Sequence, residues 1–178
     1  MLDKEDNMKI GLTGTMSVGK TTLVKALSKI EQFKDYTFTT ERSKYLNSLG
    51  IPLNHETTIE GQTIFLAERV TELMQDLLIT DRTIIDVMAF TNCAKRVSYI
   101  DGDAFETYAK RFLSQYSHIF YISPDGIDIE DNGIRETDAD YRREIDEEIQ
   151  KLLSKHRSVV HTLKGTTEER IEQIIKTI

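Results

Sequence analysis

The chain has 178 residues, of which 39% are hydrophobic and 30% charged, and it carries a formal net charge of −7 with only 9 Gly and 2 Pro. This length predicts one domain with a buried core, and the low Gly and Pro content excludes a fibrous or low-complexity protein. No apolar run approaches the ~18 residues of a membrane-spanning helix, and the lone Cys93 cannot form an internal disulfide, so we expect no membrane partner and a reducing, cytoplasmic setting.

Short apolar runs alternate with longer amphipathic stretches along the chain. Residues 1–7 are polar and predict a flexible N-terminus, which precedes one domain over residues 8–178. Five runs lack strict polar–apolar alternation and are typical of strands buried on both faces. These runs are Lys9–Leu12, Tyr36–Thr39, Leu77–Thr80, His118–Ile122 and Ser158–Leu163.

The stretches between the runs predict helices. They are Thr21–Ile30, Thr57–Gln75, Ile84–Lys95, Asp103–Gln115, Asp138–Lys155 and a last helix that begins near Thr166. Thr57 with Glu60, and Thr166 with Glu169, have the spacing of a helix capping box. Strands that alternate with helices indicate the α/β class, with a parallel sheet covered on both faces.

The first strand leads into the most specific motif of the chain, a complete G-x-x-x-x-G-K-[ST] sequence at residues 14–21. Its glycines let successive backbone N–H groups point at phosphate oxygens, and the helix that follows adds its N-terminal dipole. Lys20 brings a positive charge to the β- and γ-phosphates, and the Thr21 hydroxyl can ligate Mg²⁺. The motif predicts binding of ATP with Mg²⁺ through Gly14, Thr15, Ser17, Val18, Gly19, Lys20, Thr21 and Thr22.

The second strand ends at Glu41-Arg42, where residues for an acceptor substrate are expected. A carboxylate there can take the proton of an acceptor hydroxyl, and an arginine can hold an anionic group. A solvated ion pair at a helix start is the alternative interpretation. On the next long helix, Gln62, Phe65 and Arg69 share a face and suit a nucleobase, although a core face with a partly exposed arginine gives the same pattern.

The third strand ends at a second acidic element, Asp81 followed by Arg82. Because the carboxyl ends of parallel strands carry the ligand crevice, we expect Asp81 beside the glycine-rich loop. There it would hold Mg²⁺ or its waters together with Thr21, while Arg82 faces phosphate. Asp81 is also placed to cap the following helix, and the two roles are compatible.

Taken together, these segments resemble small P-loop kinases of the nucleoside and nucleotide kinase group. The likeness is to NadR-like, ribosylnicotinamide-kinase-like ATPase domains, including many from bacteriophages, and it extends from about Met8 onward. It rests on GLTGTMSVGKTT, on ERSK at residues 41–44, on Asp81-Arg82-Thr83 with Asp86, and on NGIR at residues 132–135. Related domains usually carry Glu-x-x-Arg after the second strand, whereas Lys44 stands in the Arg position here.

The resemblance implies a three-layer P-loop NTPase fold, a five-stranded parallel sheet in the order 2-3-1-4-5, and a helical lid over about residues 127–140. It implies that Glu41 is the base and that Asp81 is the acidic metal or base residue. In the lid, Arg135 and Arg142 would reach the transferring phosphoryl group. By analogy of fold, Lys164 after the last strand would lie near adenine.

The expected function is an ATP-dependent kinase acting on a hydroxyl of a nucleoside-like or nucleotide-like acceptor. Two alternatives stay open: a kinase of 5-hydroxymethyluracil in phage DNA, active in the host cytoplasm, and a regulatory P-loop ATPase without a small-molecule acceptor. Net acidity argues against indiscriminate nucleic-acid binding. Residues 125–148, however, hold eleven acidic residues and three arginines, so the rest of the chain is nearly neutral and a local basic crevice is allowed. The oligomeric state is left open.

Overall fold

Strand pairing in the computed structural model, which describes residues 7–127, 138–155 and 159–178, matches the predicted topology. One sheet of five parallel strands has the order β2-β3-β1-β4-β5. Its strands are β1 (Met8–Thr13), β2 (Thr37–Thr39), β3 (Leu77–Asp81), β4 (His118–Ile122) and β5 (Val160–Leu163). All five predicted strands are therefore confirmed. Residues 1–6 of the expected flexible N-terminus and positions 128–137 of the expected lid, with Arg135, lie outside the described residues.

Helices cover both faces of the sheet. They are α1 (Lys20–Leu27), α2 (Ser43–Ser48), α3 (Ile59–Glu72), α4 (Ile84–Asn92), α5 (Tyr99–Ala109), α6 (Ala139–Ser154) and α7 (Thr167–Thr177). One apolar cluster joins the sheet to α1 and α7, and the other joins it to α3, α4, α5 and α6. Successive β3 residues point to opposite faces, so that Leu78 belongs to the second cluster and Ile79 to the first. The result is the three-layer α/β architecture that the sequence predicts.

The strand register aligns the carboxyl ends of β1, β2 and β3. Leu12 pairs with Asp81, and Thr39 pairs with Thr80. The segments that follow these three strands therefore leave the sheet at one edge, where ligands bind in open parallel sheets. No helix in the described part of the chain is long and apolar enough to span a membrane.

Helix boundaries differ from the sequence expectation more than the strands do. The N-cap of α3 is Thr58, whose hydroxyl accepts from the Gly61 amide at 3.2 Å, so the predicted Thr57–Glu60 capping box is wrong. Thr57 is buried, and its hydroxyl accepts instead from the Gln62 side chain. The predicted capping box of Thr166 with Glu169 is confirmed. The helix α2 is not among the predicted helices. The helix α5 begins at Tyr99 with Ser98 as its N-cap, before the predicted start at Asp103.

We predict that Thr58→Ala lowers the free energy of unfolding by about 1 kcal/mol, because the first turn of α3 loses its side-chain acceptor. Urea unfolding followed by circular dichroism measures the change. Thr63→Ala, the same substitution at an exposed position inside α3, is the matched control and should change stability by less than about 0.5 kcal/mol. Equal losses in the two variants would contradict the assignment of Thr58 as the cap.

Candidate functional site

The glycine-rich loop at residues 14–19 requires glycine at its first and last positions. Gly14 has φ +144°, and a Cβ added there would lie 2.5 Å from the carbonyl oxygen of Ile122. Gly19, which precedes α1, has φ +88°. Both conformations are strained for any residue with a side chain. The loop therefore folds as the P-loop motif predicts, with α1 beginning directly behind it.

Lys20 is folded back into this loop. Its side chain is buried, and Nζ donates to the carbonyl oxygens of Gly14 at 2.6 Å and Thr15 at 2.7 Å. Burial, together with the nearby positive charge of Arg82, lowers the pKa of Lys20 to about 8 against the opposing effect of neighbouring carboxylates. The ammonium group is thus desolvated inside the loop whose motif predicts a phosphate contact for this lysine.

Asp81 at the end of β3 lies against Thr21 at the start of α1. The Thr21 hydroxyl donates to Oδ2 of Asp81. The other carboxylate oxygen, Oδ1, is buried and has no hydrogen-bond partner among the described residues. A hydroxyl and a carboxylate oxygen are ligands that Mg²⁺ prefers, so these two residues fit a magnesium ion. The alternative in which Asp81 caps α4 is wrong, because Thr83 is the N-cap.

Arg82 follows Asp81 in a left-handed backbone conformation, with φ +80°. This conformation costs a non-glycine residue roughly 1–2 kcal/mol. Its amide donates to the Leu12 carbonyl at 3.0 Å, and its guanidinium lies 4.9 Å from the Phe90 ring centroid and 3.6 Å from Oδ1 of Asp86. Burial alone would lower the pKa of Arg82, but Glu41 and Asp86 raise it above its ordinary value. The guanidinium is therefore held as a cation.

Glu41 follows β2 by two residues and is half-buried at the same edge of the sheet. Its carboxylate accepts from the Ser43 amide at 2.9 Å. Burial alone would raise the pKa of Glu41, but Arg82, the Ser43 hydrogen bonds and Lys20 together lower it. Glu41 is consequently a carboxylate at neutral pH, able to accept a hydrogen bond or a proton.

Two cavities meet at these residues. The larger encloses about 320 Å³ and is lined by residues 16–22, Asp81, Ile127, residues 165–167 and Arg170. The smaller encloses about 70 Å³ and lies between α2, α3 and α4. Its lining includes Leu53, Gln62, Phe65, Asp86, Val87 and Phe90. Glu41, Arg82 and Met16 line both cavities, so the two form adjoining compartments with a shared wall.

The structure brings some of the predicted acceptor residues together and separates others. Gln62 and Phe65 line the smaller cavity. Arg69 does not, because Nη1 of its buried guanidinium donates to the Asp81 carbonyl at 2.9 Å. Arg42 also lies elsewhere: it is exposed and paired with Glu68 at 3.2 Å, so the ion-pair interpretation applies to Arg42 but not to Glu41.

The predicted nucleotide contacts beyond the P-loop are also divided. Arg142 at the start of α6 donates to the carbonyls of Met16 at 3.2 Å and Ile127 at 2.6 Å, so it braces the loop backbone. Lys164 is exposed and does not line the larger cavity, whereas its neighbour Gly165 does.

Two residues of this region have no role in the sequence prediction: Arg170 is not named there at all, and Asp86 is named only as part of a motif. Arg170 in the first turn of α7 lines the larger cavity, and its Nη1 donates to the Val18 carbonyl at 3.0 Å. Asp86 accepts from the Gly14 amide at 3.4 Å and lines the smaller cavity. A signal for both existed, because the first turn of a helix that follows a parallel strand lies at the ligand-binding edge.

The loop, the sheet order and the buried lysine define a P-loop nucleotide-binding fold. A family model described as an AAA domain matches residues 9–170, so the chain belongs to that family. No curated protein matches the chain.

Solved structures share the fold at low sequence identity. NadR in complex with NR is 17% identical with a TM-score of 0.70, over 90% of this chain and 46% of the NadR chain. Deoxyadenosine kinase from M. mycoides, with dCMP and dCDP, is 16% identical with a TM-score of 0.61, over 96% of this chain and 97% of that one. Thymidylate kinase from Candida albicans is 13% identical with a TM-score of 0.71, over 97% of this chain and 91% of the thymidylate kinase chain.

The chain thus spans about half the length of the NadR chain and nearly all of the two kinases. The predicted resemblance to small P-loop kinases is confirmed as a likeness of fold.

The lowered pKa of Lys20 generates a prediction about stability and pH. Its pKa is about 8 in the folded protein and 10.5 ordinarily, so the ligand-free fold bears the cost of a buried charge below pH 8 and loses that cost as the pH rises from 8 to 10.5. We expect Lys20→Met to be more stable than wild type at pH 7, by an amount on the order of a few kcal/mol, and the difference to shrink across that window. Urea unfolding of both proteins at pH 7, 8, 9 and 10 measures it. A difference independent of pH would contradict the shift.

Proposed function

We propose that this chain is an ATP-dependent kinase that transfers the γ-phosphoryl group of ATP to a hydroxyl of a nucleoside-like or nucleotide-like acceptor. The observation that carries the proposal is the shared wall, with Glu41 and Arg82 lining both cavities. A carboxylate and a guanidinium between a phosphate cradle and a second pocket suit direct transfer between two bound molecules. A regulatory ATPase that only hydrolyses ATP has no need of the second pocket.

The larger cavity suits the donor nucleotide. The P-loop amides and Lys20 would hold the β- and γ-phosphates, and the NadR structure solved with NAD and AMP-PNP supports a nucleotide in this fold. Thr21 and Asp81 would hold Mg²⁺. When bound there, Mg²⁺ would neutralise charge on the phosphate oxygens. Lys164 and Arg142 stay predicted nucleotide contacts, as does Arg135 for the transferring phosphoryl group.

The lining of the smaller cavity suits the flat, partly apolar base of a nucleoside-like or nucleotide-like acceptor. The rings of Phe65 and Phe90 and the side chain of Val87 supply apolar walls. Gln62 donates from Nε2 to the Thr57 hydroxyl at 2.9 Å, which fixes the orientation of its amide. Names of the similar structures support this acceptor class, because they include a deoxyadenosine kinase and a thymidylate kinase.

The proposed reaction needs little covalent chemistry from the protein. The acceptor hydroxyl oxygen forms a bond to the γ-phosphorus, the bond between that phosphorus and the β–γ bridging oxygen breaks, and ADP leaves. The Glu41 carboxylate accepts the hydroxyl proton, since its lowered pKa keeps it ionised at neutral pH. Arg82 stabilises the charge that develops on the transferring group from its position at the shared wall.

A screen with γ-labelled ATP tests the function. The full chain is incubated with Mg²⁺ and, separately, with nucleosides, nucleotides and DNA containing 5-hydroxymethyluracil. We expect label on a nucleoside-like or nucleotide-like acceptor. Label on the DNA alone, with activity that falls steeply as salt rises, would favour the DNA kinase instead. Slow release of labelled phosphate with no labelled acceptor would favour the regulatory ATPase.

With the acceptor that the screen identifies, we expect Glu41→Gln to lower kcat by at least about 100-fold, because the amide cannot take the proton. Binding of ATP should change little. Glu31→Gln makes the same chemical change at an exposed ion pair with Lys34 and serves as the matched control. Steady-state kinetics that give similar kcat values for the two variants would overturn the role proposed for Glu41.

The position of Arg170 in the larger cavity predicts an effect on ATP binding. Arg170→Ala removes the hydrogen bond to Val18 and a cation from the larger cavity, so we expect KM for ATP to rise about tenfold while KM for the acceptor stays unchanged. Lys176→Ala removes an exposed cation from the same helix and should leave both constants unaltered. A parallel rise of both KM values would show that Arg170 acts on the fold as a whole.

A further inference from the structure

Arg69 occupies an unusual position for a cation on an outer-layer helix. Its side chain is 3% exposed and lies beneath the carboxyl end of β3. Nη1 donates to the Asp81 carbonyl at 2.9 Å, and Nη2 donates to Oε1 of Glu72 at 2.7 Å. The second oxygen of Glu72 accepts from the Thr80 hydroxyl at 2.9 Å. Arg69 and Glu72 therefore form hydrogen bonds with two successive residues, Asp81 and Thr80, at the end of β3.

Thr80 and Asp81 lead directly into the turn at Arg82, whose backbone is left-handed. Asp81 directs its carboxylate to Thr21, and Arg82 follows with φ +80°. On the other side of this turn, the Arg82 amide donates to the Leu12 carbonyl at 3.0 Å. The peptide between Asp81 and Arg82 is thus held by β1 through its N–H and by Arg69 through its C=O. A non-glycine residue keeps such a conformation only where its surroundings enforce it.

Arg69 itself has no route to either cavity. It lines neither of them, and its guanidinium is committed to the Asp81 carbonyl and to Glu72. Its charge is therefore not available to an acceptor or to phosphate. What it can do is fix the backbone on which two site residues stand, and loss of a group that orients a ligating side chain typically lowers metal affinity by about 10–100-fold.

We propose that Arg69 is a positioning residue: by holding the Asp81 carbonyl, it fixes the turn that presents the Asp81 carboxylate beside Thr21 and Arg82 to both cavities. The expected effect of Arg69 on kcat rests on the proposed function. Its expected effect on metal-dependent nucleotide binding rests only on the fit of Thr21 and Asp81 to Mg²⁺.

The test compares Arg69→Met with Leu73→Ala. Leu73 is a buried residue at the end of the same helix, so its truncation destabilises the fold without removing a bond to Asp81. Calorimetry measures the Kd of AMP-PNP with Mg²⁺ and with EDTA for the full chain. The ratio of the Kd measured with EDTA to the Kd measured with Mg²⁺ reports how much the metal ion strengthens the binding of AMP-PNP. We expect Arg69→Met to reduce this ratio at least tenfold, and Leu73→Ala to keep it within twofold of wild type.

Arg69→Lys keeps one donor near the Asp81 carbonyl, so we expect it to restore part of the ratio, and it also serves if Arg69→Met does not fold. A ratio within twofold of wild type in folded Arg69→Met, or in Arg69→Lys where Arg69→Met does not fold, overturns the proposal and leaves Arg69 a structural residue only. In a labelled-acceptor assay, kcat should fall with the ratio while KM for the acceptor is unchanged. If wild type labels no acceptor but the ratio still falls, the positioning role stands and the kinase function fails.

Discussion

Parallel pairing of β3 between β1 and β2 is the constraint on which the whole candidate site depends. The register sets Asp81 opposite Leu12 and Thr80 opposite Thr39. The segments that follow the three strands consequently leave the sheet side by side, although they are far apart in the chain. A slip of β3 by one residue would turn its side chains to the opposite faces, moving Asp81 away from Thr21. Such a slip would also exchange Leu78 and Ile79 between the two apolar clusters, in which each side chain packs against different neighbours.

This convergence gathers charged groups at the wall between two cavities. Burial lowers the pKa of Lys20 and acts to raise that of Glu41, the positive charge of Arg82 lowers both, and Glu41 in turn raises the pKa of Arg82 against the effect of burial. The groups are therefore electrostatically coupled in the absence of any phosphate. Because the cations are already desolvated and oriented by the fold, they can stabilise an anionic ligand without a large rearrangement.

The sequence was sufficient for the strands and for the P-loop, because buried strands and glycine positions are determined by local chemistry. It was not sufficient for the direction of α3 side chains. Gln62, Phe65 and Arg69 do share a face, as their spacing requires, but this face runs along about 10 Å of helix and passes two different neighbours. Its first part borders the smaller cavity, and its last part borders the end of β3. Helical periodicity identifies a face, whereas only the tertiary contacts identify what each turn of that face meets.

Asp86 connects the glycine-rich loop with the lining of the smaller cavity. One carboxylate oxygen accepts from the Gly14 amide at 3.4 Å and lies 3.6 Å from Nη1 of Arg82. The other oxygen accepts from the amide of Thr83 at 2.7 Å and from its hydroxyl at 3.0 Å, and Thr83 is the N-cap of α4. The same helix carries Phe90 of the smaller cavity. A movement of α4 that widens this cavity would therefore also act on contacts of the P-loop amide and of the shared guanidinium. Under the proposed function, such a connection would help to align the two bound molecules between which the phosphoryl group passes.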